Sequence, residues 1–177
     1  MTSKTLLVTP LVAALSVGTA YAANVEVYAI DKLDNIQDGY CIDISGGQGP
    51  QANPDNGLQG HTCYSPSGEV FVDQAFDPEQ FAKGVFYMPE FEVCLQSAGP
   101  EAGASLELAT CDGSEAQSFD FSGEGTITPT STPNLCVTLG DDTRFGRSEQ
   151  NQIKELKLAE CSADAAASQH WGYRSAE

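Results

Sequence analysis

The chain has 177 residues, with 8 basic against 25 acidic side chains and a formal net charge of −17. That length provides for one domain with a real core, and too little for two. A surface so acidic repels phosphate backbones and anionic headgroups, which argues against nucleic-acid and membrane-surface binding.

In chain order, the first feature is Lys4, an apolar run from Leu6 to Val17, and then Ala20-Tyr21-Ala22, a small-x-small step of the kind a signal peptidase cuts. A signal peptide is expected over 1–22, with cleavage after Ala22, one domain over 23–177, and a secreted or periplasmic product. The apolar core is too short to span a bilayer of roughly 30 Å. Next comes Val25-Glu26-Val27-Tyr28-Ala29-Ile30, whose alternation predicts an opening strand.

All six cysteines follow it: Cys41, Cys63, Cys94, Cys111, Cys136 and Cys161. An even number behind a signal peptide predicts a disulfide framework. Zinc would need closely spaced cysteine pairs, whereas the nearest successive ones, Cys94 and Cys111, are 17 apart, so no metal is expected.

From Tyr40 onward the chain repeats itself three times. Repeat one (25–84) reads Tyr40-Cys41-Ile42-Asp43-Ile44, Leu58-Gln59-Gly60-His61-Thr62-Cys63, Asp73-Gln74-Ala75-Phe76. Repeat two (85–125) reads Val93-Cys94-Leu95-Gln96, Leu106-Glu107-Leu108-Ala109-Thr110-Cys111, Ala116-Gln117-Ser118-Phe119. Repeat three (126–177) reads Leu135-Cys136-Val137-Thr138-Leu139, Leu156-Lys157-Leu158-Ala159-Glu160-Cys161, Ser168-Gln169-His170-Trp171. Each piece alternates with period two between Gly, Pro, Asn and Asp clusters, which predicts short strands and an all-β chain. Such a unit cannot bury its apolar face alone, so three close around a shared core. Two cysteines bracket one hairpin in each repeat, and the economical pairing is Cys41–Cys63, Cys94–Cys111 and Cys136–Cys161.

Cys41-x-Asp43, Gln59-x-His61-x-Cys63 and three Gln-x-aromatic endings in phase with three cysteine pairs resemble the ricin-B type lectins, from about Val25 to Trp171. The resemblance implies a β-trefoil with three pseudo-repeats. It implies that Phe76, Phe119 and Trp171 fill the barrel bottom while each glutamine ties neighbouring loops. It also implies a sugar site without cofactor. Such sites pair a carboxylate that accepts from adjacent hydroxyls with a ring that lies on the C–H face and amides that steady both. In repeat one these positions are Asp43 (carboxylate), Gln59 (amide), His61 (ring), and Asp73 with Gln74 (polar pair).

Repeat one departs from the family at two points: His61 stands where Trp or Tyr is commoner, and Asp73 where asparagine is usual. Histidine stacks weakly and titrates near neutrality, so weak or pH-sensitive binding is expected. Repeats two and three have Gln96, Glu107, Ala109 and Thr138, Lys157, Ala159 at the corresponding positions, with no ring and no matching carboxylate. One galactose-like sugar site per chain is therefore expected.

Enzymatic activity is not expected. The chain has two histidines, and His170 lies inside a Gln-x-aromatic motif. Asn53–Gly57 and Asp141-Asp142 read as solvated turns rather than calcium loops. No catalytic module accompanies the repeats, so the protein is expected to act alone or as a separate subunit. An alternative reading is a non-catalytic trefoil subunit with degraded sugar sites that contacts a protein partner, as in toxin accessory subunits. A third is a protease inhibitor presenting the long Ser45–Gly57 or Gly140–Ile153 segment as a loop.

Overall fold

The computed structural model describes residues 23–65 and 70–175; the leader expected over 1–22 lies outside them. Repeat one supplies β1 (Val25–Ala29), β2 (Tyr40–Ile44), β3 (Leu58–Thr62) and β4 (Ala75–Phe76). Repeat two supplies β5 (Tyr87–Met88), β6 (Val93–Ser97), β7 (Leu106–Thr110) and β8 (Phe119–Asp120). Repeat three supplies β9 (Glu124–Gly125), β10 (Thr128–Pro129), β11 (Leu135–Phe145), β12 (Gln152–Glu160) and β13 (Trp171–Arg174).

Closure follows one rule used three times: the opening segment of each repeat pairs with its own closing strand and with that of the repeat before it. Val25 faces Phe76 of the same repeat, and Val27 faces Tyr173 of repeat three. In repeat two, Phe119 N–H donates to the Gly84 carbonyl and Asp77 N–H to the Tyr87 carbonyl, each at 2.9 Å. In repeat three, Gly125 faces Trp171 and Thr128 faces Asp120. Gly84 and Glu124–Gly125 thus pair as the first residues of the repeats that follow them. The middle strands form three hairpins, β2–β3, β6–β7 and β11–β12.

Phe76, Phe119 and Trp171 are fully buried, and Phe86 lies edge-on to Phe76 and Phe119 at ring-centroid distances of 6.1 and 5.9 Å. Such edge-to-face pairs add to the area they bury. The indole N–H of Trp171 donates to the Val137 carbonyl at 2.9 Å, so the one tryptophan carries its polar atom into the core with a partner. Disulfides join Cys41–Cys63, Cys94–Cys111 and Cys136–Cys161, one per repeat.

The glutamine of each Gln-x-aromatic motif is a clasp. Its amide donates to the carbonyl just before the second cysteine of its repeat and accepts from the N–H just after it. Gln117 reaches Thr110 O and Asp112 N, both at 2.9 Å. Gln169 reaches Glu160 O at 2.9 Å and Ser162 N at 3.0 Å. Gln74 reaches Thr62 O at 3.1 Å and Tyr64 N at 3.3 Å. All three glutamines are buried, and each satisfies backbone groups that would otherwise be stranded where the strand ends.

Repeat three departs from the pattern. The segment Gly140–Ile153, read from sequence as a loop, is instead the far half of the β11–β12 hairpin. Thr143 faces Lys154 and Phe145 faces Gln152, beyond a register shift between Leu139 and Thr143. The extra residues at Gly140–Asp142 are a bulge, which interrupts the alternation and bends the ribbon. The bent ribbon lies on repeat one, where Ile153 pairs with His61 and Lys154 with Gly60. Gly60 is needed there, because a Cβ would run into the buried Leu139 side chain. With β12 added beside it, every residue of β2 and β3 is buried.

Candidate functional site

The β2–β3 register sets Asp43 opposite Gln59 and Cys41 opposite His61. Alternation puts all four on one face of the hairpin, while Tyr40, Ile42 and Leu58 enter the core from the other. A cavity of about 430 Å³ opens on that face, lined by Asp43, Gln59 and His61, by Gly46–Gln48 of the loop after β2, by Tyr64, and by Gly146, Arg147, Asn151 and Ile153 of the long hairpin.

Asp43 is only 2 % exposed and forms the floor. Its two oxygens accept from Gln59 Nε2 at 2.9 Å and Gln74 Nε2 at 3.0 Å. Burial pushes its carboxyl up to about 8, against the opposing pull of the two amides, and nearby Asp73 adds to the rise. The acid is thus largely protonated at neutral pH and ionises just above it. Arg144 Nη2 donates to Gln59 Oε1 at 2.8 Å, which orients that amide with its nitrogen toward Asp43.

His61 is nearly buried, its Nδ1 lies 3.0 Å from the Thr62 carbonyl, and burial holds its pKa below the usual histidine value. The ring stays neutral near pH 7, so the titration expected of histidine passes to Asp43. Tyr64 lies against His61 with ring centroids 5.5 Å apart, and Phe71 packs edge-on to Tyr64 at 4.8 Å. Sequence reasoning missed Tyr64. It sits directly after the second cysteine, outside the motif, and its place one residue beyond Cys63 was the available signal.

Asp73 and Gln74 do not line the cavity. Gln74 is wholly buried beneath Asp43 as that acid's support and the repeat's clasp. Asp73 lies under the glycine loop: its Oδ2 accepts from Gly49 N–H at 2.8 Å, and a Cβ on Gly47 would come within 2.6 Å of the same oxygen. Its Oδ1 is buried without a hydrogen-bond partner among the described residues. Both residues hold the site from behind.

The equivalent faces of the other repeats hold different chemistry. In repeat two Gln96 meets Glu107 on an open surface, with Nε2 to Oε2 at 3.4 Å. In repeat three Thr138 turns its hydroxyl onto the Cys136 carbonyl at 2.8 Å. For metal, Glu26, Cys41 and Cys63 lie within reach of a common ion, but both sulfurs are in the disulfide and Arg174 Nε engages Glu26 Oε1 at 2.7 Å.

The profile described as the ricin-type beta-trefoil lectin domain matches residues 83–177, just over half of the chain and all of repeats two and three. No curated protein sequence matches it. Among solved structures, the C-terminal domain mutant of an earthworm lectin, in complex with 6′-sialyllactose, is 15% identical. That likeness covers 87% of this chain and 99% of that one at a TM-score of 0.55. The Vibrio vulnificus hemolysin/cytolysin β-trefoil lectin, with N-acetyl-D-lactosamine bound, is 14% identical over 88% of this chain and 96% of that one, at 0.51. The agglutinin from Abrus precatorius is 18% identical over 91% of this chain and 51% of that one, at 0.56. At such identities the likeness is one of fold.

Proposed function

The chain belongs to the ricin-type β-trefoil lectin family, and from that premise we propose that it is a secreted, non-enzymatic carbohydrate-binding protein with one sugar site, in repeat one. Family and fold point to carbohydrate binding. The observation that carries the finer reading is Asp43, a carboxylate braced by Gln59 and Gln74 at the floor of a cavity walled by His61 and Tyr64.

A pyranose entering this cavity presents two adjacent hydroxyls to Asp43, which accepts from both when ionised, while the ring's C–H face lies on the His61–Tyr64 wall. Gln59, fixed by Arg144, steadies the carboxylate. Family fold alone does not supply a site, and repeats two and three have the same scaffold without the chemistry. A single site per chain gives weak affinity unless several chains are joined.

A glycan array probed with the protein and its Asp43→Ala variant tests this reading. The expected result is binding to galactose-like glycans by the parent only. Binding unchanged in the variant would refute the repeat-one site. No binding by either protein would favour the second reading, a subunit contacting a protein partner, which is supported by the lack of ring and matching carboxylate in repeats two and three.

A further inference from the structure

Resting on the sugar site proposed above, we infer that Arg147 is a specificity residue and that the cavity prefers a pyranose carrying a carboxylate. The chain has only three arginines among 25 acidic side chains, and the bent β11–β12 hairpin carries two of them, Arg144 and Arg147, to the one face where a carboxylate is held for ligand.

The cations nearby are otherwise engaged. Arg144 is bound to Gln59 Oε1. Lys154 is buried, donating to the Asp141 carbonyl at 2.8 Å and lying 3.3 Å from Asp34 Oδ1. Arg147 lines the cavity and has no ion-pair partner among the described residues. At the Tyr64 hydroxyl, whose pKa is raised by burial and by Asp43 and Asp73, the Arg147 charge acts in the opposite direction.

Neither acid of the site is paired with that charge among the described residues. Asp43 is held on the cavity floor by the Gln59 and Gln74 amides. Asp73 is covered by Gly47 and bonded to Gly49 N–H. Asn151 and Gln48 also line the cavity. A guanidinium offers a carboxylate two parallel N–H donors, a geometry that a neutral hydroxymethyl group cannot use fully. A hexuronic acid, which differs from its parent hexose only by a carboxylate at C6, is the class of sugar that fits.

The test is titration of the protein with methyl galactoside and with methyl galacturonide at low salt, repeated with Arg147→Gln. The acid should bind about fivefold more tightly than the neutral sugar, as a solvent-accessible ion pair permits, and the preference should shrink as salt is raised. In Arg147→Gln the preference for the acid over the galactoside should vanish. Equal binding of the two sugars, or a preference that survives the substitution, would overturn the role of Arg147 and leave the repeat-one site standing. No binding of either sugar to the parent protein would overturn both.

Discussion

Repeats one and two have one backbone plan and opposite surfaces. In both, a hairpin joined by a disulfide is clasped at its end by the glutamine of a Gln-x-aromatic motif. In repeat two that hairpin faces solvent, with Gln96 half-buried and Glu107 exposed. In repeat one β12 lies alongside β3, the cysteine-x-acid position is sealed, and a cavity forms. The motif builds the scaffold, and the cavity is made by a neighbour leaning on it.

The core is the part that the repeats share. Phe76→Ala, Phe119→Ala and Trp171→Ala should each cost about 3–5 kcal/mol in urea unfolding, because each leaves a cavity at an equivalent place. A threefold core requires the three losses to be similar; one tolerated substitution would show that a repeat does not share it.

The ligand positions should then separate the repeats. Asp43→Ala should weaken sugar binding by about tenfold or more, the loss of a charged hydrogen-bonding partner, and should also lower stability by leaving one amide N–H each of Gln59 and Gln74 without its acceptor. Gln96→Ala should leave calorimetric sugar titrations unchanged.

Acidity sharpens the contrast further. The Asp43 carboxyl is pushed up to about 8 by burial, and only its ionised form accepts from two hydroxyls. Affinity for a neutral sugar should therefore rise as pH is raised from 6 toward 8, by up to about fiftyfold, the ratio of the ionised fractions. Stability runs the other way. The folded state holds the Asp43 proton more tightly than the unfolded chain, whose value is near 3.8, so the native protein binds more protons between about pH 4 and 8 and loses stability as pH rises through that window. Asp43→Asn should flatten this component in thermal melts. An unchanged slope would show that the acid does not titrate there.

The smallest effect concerns the aromatic wall. Tyr64→Ala should reduce affinity by roughly threefold to tenfold, the size of one stacking contact, with the chain still folding cooperatively.

Much of this was legible in the sequence. Three cysteine pairs in phase with three Gln-x-aromatic endings define the repeats, and alternation within Cys41–Ile44 and Leu58–Thr62 places Asp43, Gln59 and His61 on one face. The rest depended on contacts far apart in sequence. The strand character of Gly140–Ile153 was hidden by a bulge, and its docking on β3 is set by residues about ninety positions from His61. Asp73 and Gln74 have suitable chemistry, but the glycine loop and Asp43 lie over them, so they act as supports. Tyr64 enters the wall only because the chain turns after Cys63.

The most direct test of one site made in repeat one is the stoichiometry of sugar binding by isothermal titration of the protein and its Asp43→Ala variant. One sugar per chain for the parent and none detectable for the variant is the predicted result. Two or three sugars per chain, or one that survives Asp43→Ala, would contradict it.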